Sequence, residues 1–187
     1  MAAVPSGCRE LPPLGGNIYA AFVDPSGGSL DSFGLAIAHR TDDEGHGVLD
    51  AVREIQPPFS PDSAVAELAQ TLKSYGIHQV TGDRYGGEWP REAFRNHGIE
   101  YETSERSKSD LYREFLPIVN SGRATLLDHP RMIGQLCALE RRTARGGRDS
   151  IDHPPGLHDD LANVCAGAIV QVAGEPSDLE VWVRLNR

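Results

Sequence analysis

The chain has 187 residues, a length that suits one domain with a core of ordinary size. Hydrophobic residues make up 39% of the sequence and charged residues 24%, as in a globular protein, and no apolar run is long enough to span a bilayer. The net charge of −9 argues against a protein that coats nucleic acid, but it allows carboxylates that bind metal beside a local basic patch. The three cysteines form no CxxC pair, which favours a reducing cytoplasm over a disulfide framework or a zinc site.

The first half of the chain has the pattern of a strand meander followed by a helix and a further strand. Residues 1–16 are rich in Pro and Gly and predict a flexible arm or linker. Short apolar runs that end at turn residues predict strands, and apolar residues at helical spacing predict a helix. The predicted elements are strands at 18–23, 33–39 and 48–55, a hairpin turn at 42–47, a helix from Ser60 to Gly76 and a strand at 77–81.

The second half alternates between helices and strands. The predicted elements are a helix at 88–97, a strand at 99–103, a helix from Ser107 or Ser109 to Val119, a strand at 124–127, a helix at 130–143 and a final helix at about 158–172. Residues 174–187 are a predicted tail that could add a strand at 179–183. The order predicts an α/β domain over residues 17–173, with a mixed central sheet (an antiparallel meander, then parallel strands) flanked by helices.

Acidic residues stand at the points where these apolar elements meet loops. Asp24 ends the first strand, Asp83 follows the fourth strand, and Asp159 and Asp160 begin the last helix. Strand ends of one sheet and the first turn of a helix packed on it can meet at one edge. Carboxylates gathered there repel each other unless a cation lies between them, and Mg²⁺ or Mn²⁺ prefers oxygen ligands. Two such ions about 4 Å apart could hold a scissile phosphate.

Each of these acids also has a purely structural interpretation. Asp24 and Asp83 precede Gly-containing turns and could serve only as turn residues, and either aspartate at the helix start could be an N-cap. One cap explains one aspartate and not two adjacent ones. Asp160 lies four residues before Val164, on the face expected to pack inward, where a carboxylate without a partner is costly. We therefore prefer Asp160 over Asp159 as a metal ligand.

Three segments together resemble the C-terminal nuclease domain of phage terminase large subunits: YAAFVDPSGG, VTGDRYGGEW and GLHDDLANVCAGAIV. The resemblance covers roughly residues 17–173 and implies an RNase H-like fold related to that of Holliday-junction resolvases. It also implies a two-metal endonuclease that cuts double-stranded DNA during viral packaging, with Mg²⁺ or Mn²⁺. The implied metal ligands are Asp24, Asp83, Asp160 and Asp159. The related resolvases carry a further acid one helical turn later, where this chain has Asn163, a weaker ligand.

The resemblance also implies residues that contact DNA. Lys108 is placed like a lysine that faces the substrate or balances charge in such domains, although it could also be an ordinary exposed residue at a helix start. Arg84 stands beside Asp83, and His158 could orient an aspartate or contact phosphate. The segment RRTARGGR is expected to bind phosphates without reading sequence. Its arginines are Arg141, Arg142, Arg145 and Arg148.

The chain contains no GxxxxGK[ST] phosphate loop and hence no recognisable ATPase motor. It is expected to be an excised nuclease domain or a stand-alone homologue, encoded by a phage or prophage and located in the host cytoplasm. The partners implied are DNA, a terminase ATPase domain, a small subunit and a portal, with no membrane. The alternatives are a resolvase-like or transposase-like nuclease, a non-catalytic DNA-binding or motor-docking module, and an α/β domain whose aspartates are only turns and caps.

Overall fold

Six strands form a mixed central sheet in the computed structural model, which describes residues 3–41, 45–84, 88–143 and 149–173. The strands are β1 (Tyr19–Asp24), β2 (Phe33–Arg40), β3 (Gly47–Ile55), β4 (Gln79–Gly82), β5 (Glu100–Thr103) and β6 (Ala124–Thr125). Their order across the sheet is β5-β4-β1-β2-β3-β6. The strands β1, β2 and β3 pair antiparallel, while β4 runs parallel to β1 and β5, and β6 runs parallel to β3. The predicted mixed sheet is confirmed.

Helices cover both faces of this sheet. They are α1 (Pro61–Ser74), α2 (Trp89–Asn96), α3 (Lys108–Asn120), α4 (Pro130–Ala138) and α5 (Asp160–Val172). Ala20 and Phe22 of β1 pack with α3, α4 and α5, whereas Ala21 and Val23 pack with α1 and α2. Because side chains alternate along a strand, Asp24 falls on the same face as Phe22. The last residue of β1 is thus directed toward α5.

The helix α5 lies at the centre of the fold. It contacts β1, β2, β3, α3 and α4, and residues around its whole circumference are buried. The close approach to β1 depends on Gly167, because a Cβ atom added there would lie 2.3 Å from Cγ of Phe22. This close contact fixes the distance between α5 and the sheet, and therefore the position of the first turn of α5.

The prediction of a helix over residues 130–143 is wrong for the last third of that range. The helix α4 ends at Ala138, and residues 140–143 instead form β7 (Glu140–Thr143), which pairs antiparallel with β8 (Asp149–Asp152). Every side chain of β7 is exposed, so no apolar face continues the helix, and pairing with β8 satisfies the backbone groups. The hairpin is attached to α3, because the N–H of Ile151 donates to Oγ of Ser109 at 2.9 Å.

Residues 3–16 lie along the body of the domain and bond to it. Ala3 forms a parallel bridge with Thr125, and the N–H of Leu11 donates to the carbonyl of Asp50 at 2.8 Å.

The division of the chain into an arm, a nuclease domain and a tail stays a prediction. The tail with its predicted strand, and positions 42–44 of the predicted hairpin turn, lie outside the described residues. Among the described helices, none combines the length and apolarity needed to cross a membrane.

The contact between Gly167 and Phe22 gives a prediction about stability. Gly167→Ala should lower the free energy of unfolding by about 1–3 kcal/mol, because the new methyl group forces the ring or the helix to move. Gly134→Ala on α4 is the matched control, since a Cβ atom there meets nothing within 4 Å, and it should stabilise by up to about 1 kcal/mol. Urea denaturation measures both. Equal and favourable changes at the two glycines would contradict the packing described here.

Candidate metal centre

The two strand-end acids, Asp24 and Asp83, meet on the face of the sheet that α5 covers. The backbone N–H of Asp83 donates to the carbonyl of Val23 at 3.2 Å, which extends the pairing of β4 with β1 by one step. Nδ2 of Asn163, on α5, donates to Oδ2 of Asp24 at 2.8 Å and to Oδ2 of Asp83 at 3.4 Å. A single amide group therefore joins the two carboxylates.

The start of α5 is capped by a side chain from another helix. Asp159 occupies the N-cap position but makes no capping hydrogen bond. Instead, Oε1 of Gln135 on α4 accepts from the N–H groups of Leu161 and Ala162, at 2.8 and 3.1 Å. Two of the free donors of the first turn are thereby satisfied without either aspartate. A helix cap accounts for neither Asp159 nor Asp160.

Asp159 is surrounded by groups that compensate its charge. Its side chain is 5% exposed, and its Oδ2 lies 3.0 Å from Nζ of Lys108 and accepts from the hydroxyl of Tyr112 at 2.8 Å. The same ammonium lies 3.3 Å from Oδ1 of Asp152. Nδ1 of His153 lies 3.0 Å from Oδ1 of Asp159 without hydrogen-bond geometry. Burial alone would lower the pKa of Lys108, but its two carboxylate partners outweigh it and raise that pKa.

Asp160, in contrast, has an oxygen left over. The residue is 8% exposed, and its Oδ2 has no hydrogen-bond partner among the described residues. Asp160 forms a group with Asp31 and His158 in which one ligand atom from each lies within 4.8 Å of the others. Burial, and then the charge of Asp31, raise the pKa of Asp160. Two carboxylates and an imidazole at this spacing could hold a divalent cation.

Asp24 also holds its proton more tightly than an ordinary carboxylic acid. Burial raises the pKa of Asp24 to about 7, and the nearby charges of Asp83 and Asp160 add to the effect. The hydrogen bond from Asn163 acts in the opposite direction but does not outweigh burial. A half-buried carboxylate of this kind gains from any cation that replaces its proton.

An open cleft of about 250 Å³ joins these groups. It brings together all four predicted acids and Lys108, but not as one compact set of ligand atoms. Among the described residues, the compact groups are Asp31 with His158 and Asp160, and Asp152 with His153 and Asp159. The residues that line the cleft are Asp24, Pro25, Ser26, Asp31, Ser32, Asp83, Lys108, His153, Leu157, His158, Asp159 and Asp160.

Arg84 is held against the neighbouring loop. Its Nε and Nη2 donate to the carbonyls of Ser104 and Glu105, at 3.0 and 2.9 Å, and its backbone N–H donates to Oδ1 of Asp83 at 2.6 Å. The guanidinium thus connects the loop after β4 with the loop after β5. It supports Asp83 from outside the cleft.

Two of the other predicted DNA-binding arginines lie on β7. Arg141 and Arg142 are exposed on β7. Nη2 of Arg142 donates to the carbonyl of His153 at 3.1 Å, which places this strand next to the rim of the cleft. Arg145 and Arg148 lie outside the described residues.

Several residues of the site were missed by the sequence analysis. Tyr112 could have been found, because it follows Lys108 by one helical turn and so shares its side of α3. Asp31 stands in the loop after β1, where the hydroxyl of Ser26 donates to its carbonyl at 2.5 Å, and no periodicity marks it. Gln135 reaches α5 from a different helix, a contact that spacing along the chain does not reveal.

The architecture is that of an RNase H-like nuclease fold, as comparison with solved structures shows. No protein-family model and no curated protein matches the chain. The large terminase nuclease from thermophilic phage G20c superposes with a TM-score of 0.76 at 18% identity, over 91% of this chain and 94% of that one. The same nuclease with bound magnesium gives 0.75 at 19% identity, over 91% and 93%.

Two further structures share the fold. The large terminase nuclease domain of Thermus phage P74-26 has a TM-score of 0.74 at 18% identity, over 93% of this chain and 92% of that one. The large terminase of bacteriophage HK97 has a TM-score of 0.65 at 15% identity, over 87% of this chain and 41% of that one. This chain therefore has the fold of phage large terminase nuclease domains, as the sequence resemblance implied.

The pKa of Asp24 gives a prediction about metal-free stability. Because the folded state raises this pKa from 3.8 to about 7, Asp24 makes unfolding easier as the pH rises through that interval. Asp24→Asn removes the effect. The gain in the free energy of unfolding over the wild type should therefore be larger at pH 8 than at pH 4.5, by on the order of 2–3 kcal/mol. Thermal unfolding in EDTA measures the difference. Acids remote from Asp24 titrate equally in both proteins and cancel. A gain that is the same at both pH values would contradict the raised pKa.

The contacts of Asp159 give a prediction about coupling. Lys108→Met should cost roughly 1–3 kcal/mol, because it leaves a buried carboxylate without its cation. Adding Asp159→Asn should recover part of that loss, with a coupling energy of roughly 1–2 kcal/mol in a double-mutant cycle. The exposed pair of Arg106 and Glu114 is the matched control, with an expected coupling under about 1 kcal/mol. Additive effects at Lys108 and Asp159 would show that the ion pair carries no stability.

Proposed function

We propose that this chain is a metal-dependent endonuclease that cleaves double-stranded DNA with little sequence preference. The observation that carries the proposal is the meeting of two strand-end carboxylates, Asp24 and Asp83, beside the orphaned carboxylate oxygen of Asp160 in one cleft. The likeness to large terminase nucleases, one of them with bound magnesium, supports it. A buried carboxylate oxygen without a partner, beside two further acids in a cleft, is best explained by a bound cation.

The residues present fit two divalent cations, Mg²⁺ or Mn²⁺. One ion would be held by Asp24 and Asp83, whose carboxylates both approach the amide nitrogen of Asn163. The other lies beside Asp160, where Asp31 and His158 offer further ligand atoms. Hard oxygen donors dominate both sets, which suits these two ions. Asp159 is the least suited to bind metal, because Lys108 and Tyr112 already occupy its oxygens.

The residues of the chain divide the work of phosphodiester hydrolysis. Such ions, when bound, activate the attacking water and stabilise the leaving oxygen. Asp24, Asp83 and Asp160 would hold them, and the ammonium of Lys108 pairs with Asp159 at the edge of the cleft. The exposed arginines of β7 bind the DNA backbone near the rim, without reading bases.

The proposed setting is viral DNA packaging in the cytoplasm of a bacterial host. The fold of this chain matches 41% of the HK97 large terminase, so a protein of that kind contains much besides this domain. We propose that the nuclease works with a terminase ATPase domain, a small subunit and a portal. The motor would deliver the DNA, and the nuclease would cut it.

Substitution of the proposed ligands gives the prediction that tests this function. Supercoiled plasmid should be nicked in Mn²⁺ by the wild-type chain, and Asp24→Asn, Asp83→Asn and Asp160→Asn should each slow nicking by about a hundredfold or more. Asp62→Asn is the matched control, because it removes one exposed carboxylate from the first turn of α1. Near-ultraviolet circular dichroism confirms that each variant is folded.

Three outcomes separate the alternatives. Undiminished nicking by a variant that carries Asp24→Asn, Asp83→Asn and Asp160→Asn together would refute the proposal. Cutting confined to branched DNA would indicate a resolvase-like nuclease instead. Mn²⁺-independent DNA binding without any cutting by the wild-type chain would indicate a binding or docking module.

A further inference from the structure

Asn163 is the buried amide of α5 that faces the two strand-end carboxylates. Its side chain has no solvent exposure. Its Nδ2 lies 2.8 Å from Oδ2 of Asp24 and 3.4 Å from Oδ2 of Asp83. A carboxyl oxygen that carries no proton can only accept, so the amide turns its NH₂ group toward Oδ2 of both acids. The site's shared donor is therefore this one nitrogen.

The other end of the same amide is unsatisfied. Oδ1 of Asn163 is buried and has no hydrogen-bond partner among the described residues. Buried carbonyl oxygens are nearly always bonded in folded proteins, so an orphaned one requires an explanation. Oδ2 of Asp160, three residues earlier on the same helix, is orphaned as well. The oxygen of Asn163 therefore has no hydrogen bond to lose if the amide turns it toward the two carboxylates, where a hard cation would accept it as a ligand.

We propose that Asn163 stands in for a cation in the metal-free protein and becomes a ligand when the ion binds. Without metal, its NH₂ group supplies the partial positive charge that keeps Asp24 and Asp83 together. A half-turn of the amide about χ2 exchanges Nδ2 with Oδ1. The oxygen then faces the carboxylates, an arrangement that is favourable only when a cation lies between them. Asn163 thus joins the two carboxylates in the metal-free protein and serves as a neutral ligand when the ion is bound.

The inference rests on the proposed function, because it takes Asp24 and Asp83 as metal ligands. It adds a reason for an amide at a position where an acid would bind metal more strongly. An aspartate at position 163 would place a third negative charge, fully buried, against two others. The amide avoids that repulsion and still offers an oxygen. Position 163 therefore exchanges metal affinity for stability of the metal-free protein.

The test compares Mn²⁺ binding by the full chain and its variants in isothermal titration calorimetry. Asn163→Leu keeps the approximate shape of the side chain and removes both polar atoms, so Mn²⁺ should bind about tenfold or more weakly. Asn163→Asp adds a charged oxygen, so Mn²⁺ should bind more tightly than in the wild type. The Tm of Asn163→Asp in EDTA should fall, and excess Mn²⁺ should restore it.

Gln171→Leu is the matched control on the same helix. Its amide donates to the carbonyls of Ala21 and Gly167, both at 3.2 Å, and bonds no carboxylate. This variant should lose stability without a change in Mn²⁺ affinity. Nuclear magnetic resonance adds a direct readout on ¹⁵N-labelled protein. Saturation with Mg²⁺ should shift the side-chain NH₂ signals of Asn163 and leave those of Gln171 in place.

The outcomes separate this inference from the proposed function. If Asn163→Leu binds Mn²⁺ as tightly as the wild type or more tightly, the amide merely competes with the ion, and the inference is overturned while the function stands. If Asn163→Leu does not fold, the wild-type chain still tests the inference: side-chain NH₂ signals of Asn163 that do not change at saturating Mg²⁺ overturn it. If the wild-type chain binds no Mn²⁺, or if Asp24→Asn leaves its affinity unchanged, both the inference and the proposed function fail.

Discussion

Repulsion between carboxylates gathered at one edge of the sheet is the constraint around which the site is organised. Five acids line this open cleft, where charges interact more strongly than in water. The fold meets this cost in three ways. An ammonium and a phenol compensate Asp159, an amide joins Asp24 to Asp83, and a raised pKa lets Asp24 keep its proton. Among the described acids of the cleft, only Asp160 has a fully buried oxygen without a hydrogen-bond partner.

The backbone must hold these groups in place without help from the acids themselves. Neighbouring strands β1 and β4 run parallel, so the residues at their carboxyl ends come side by side. The helix α5 is seated through the contact of Gly167 with Phe22, and its first turn is capped by Gln135. Because the cap comes from another helix, both aspartates at the helix start are free for other partners. Rigid elements of the fold, rather than the acids, therefore fix the geometry of the site.

The sequence was sufficient for features that depend on local patterns. Apolar runs that end at Asp24 and Asp83 mark strand ends, and the alternation of helices and strands marks a mixed sheet. The resemblance supplied the order of the acids. Contacts between distant segments escaped, as for Gln135, because no spacing in the chain encodes them. The β7–β8 hairpin escaped for another reason: helical spacing at Glu140 continued the pattern of α4 although its side chain is exposed.

Two adjacent aspartates can serve different purposes because Asp159 precedes the helix as its N-cap residue, whereas Asp160 is the first residue of the helix. Asp159 is directed to α3, where Lys108 and Tyr112 bind its oxygens. Asp160 is directed to the loop after β1, where the backbone of Ser32 bonds it while Asp31 adds repulsion. The protein thus satisfies the carboxylate of Asp159 and leaves one oxygen of Asp160 without a partner among the described residues. The same division separates the two ends of the Asn163 amide, whose nitrogen is bonded while its oxygen is not. The unsatisfied half of each pair is an oxygen, which is what a site prepared for a hard cation requires.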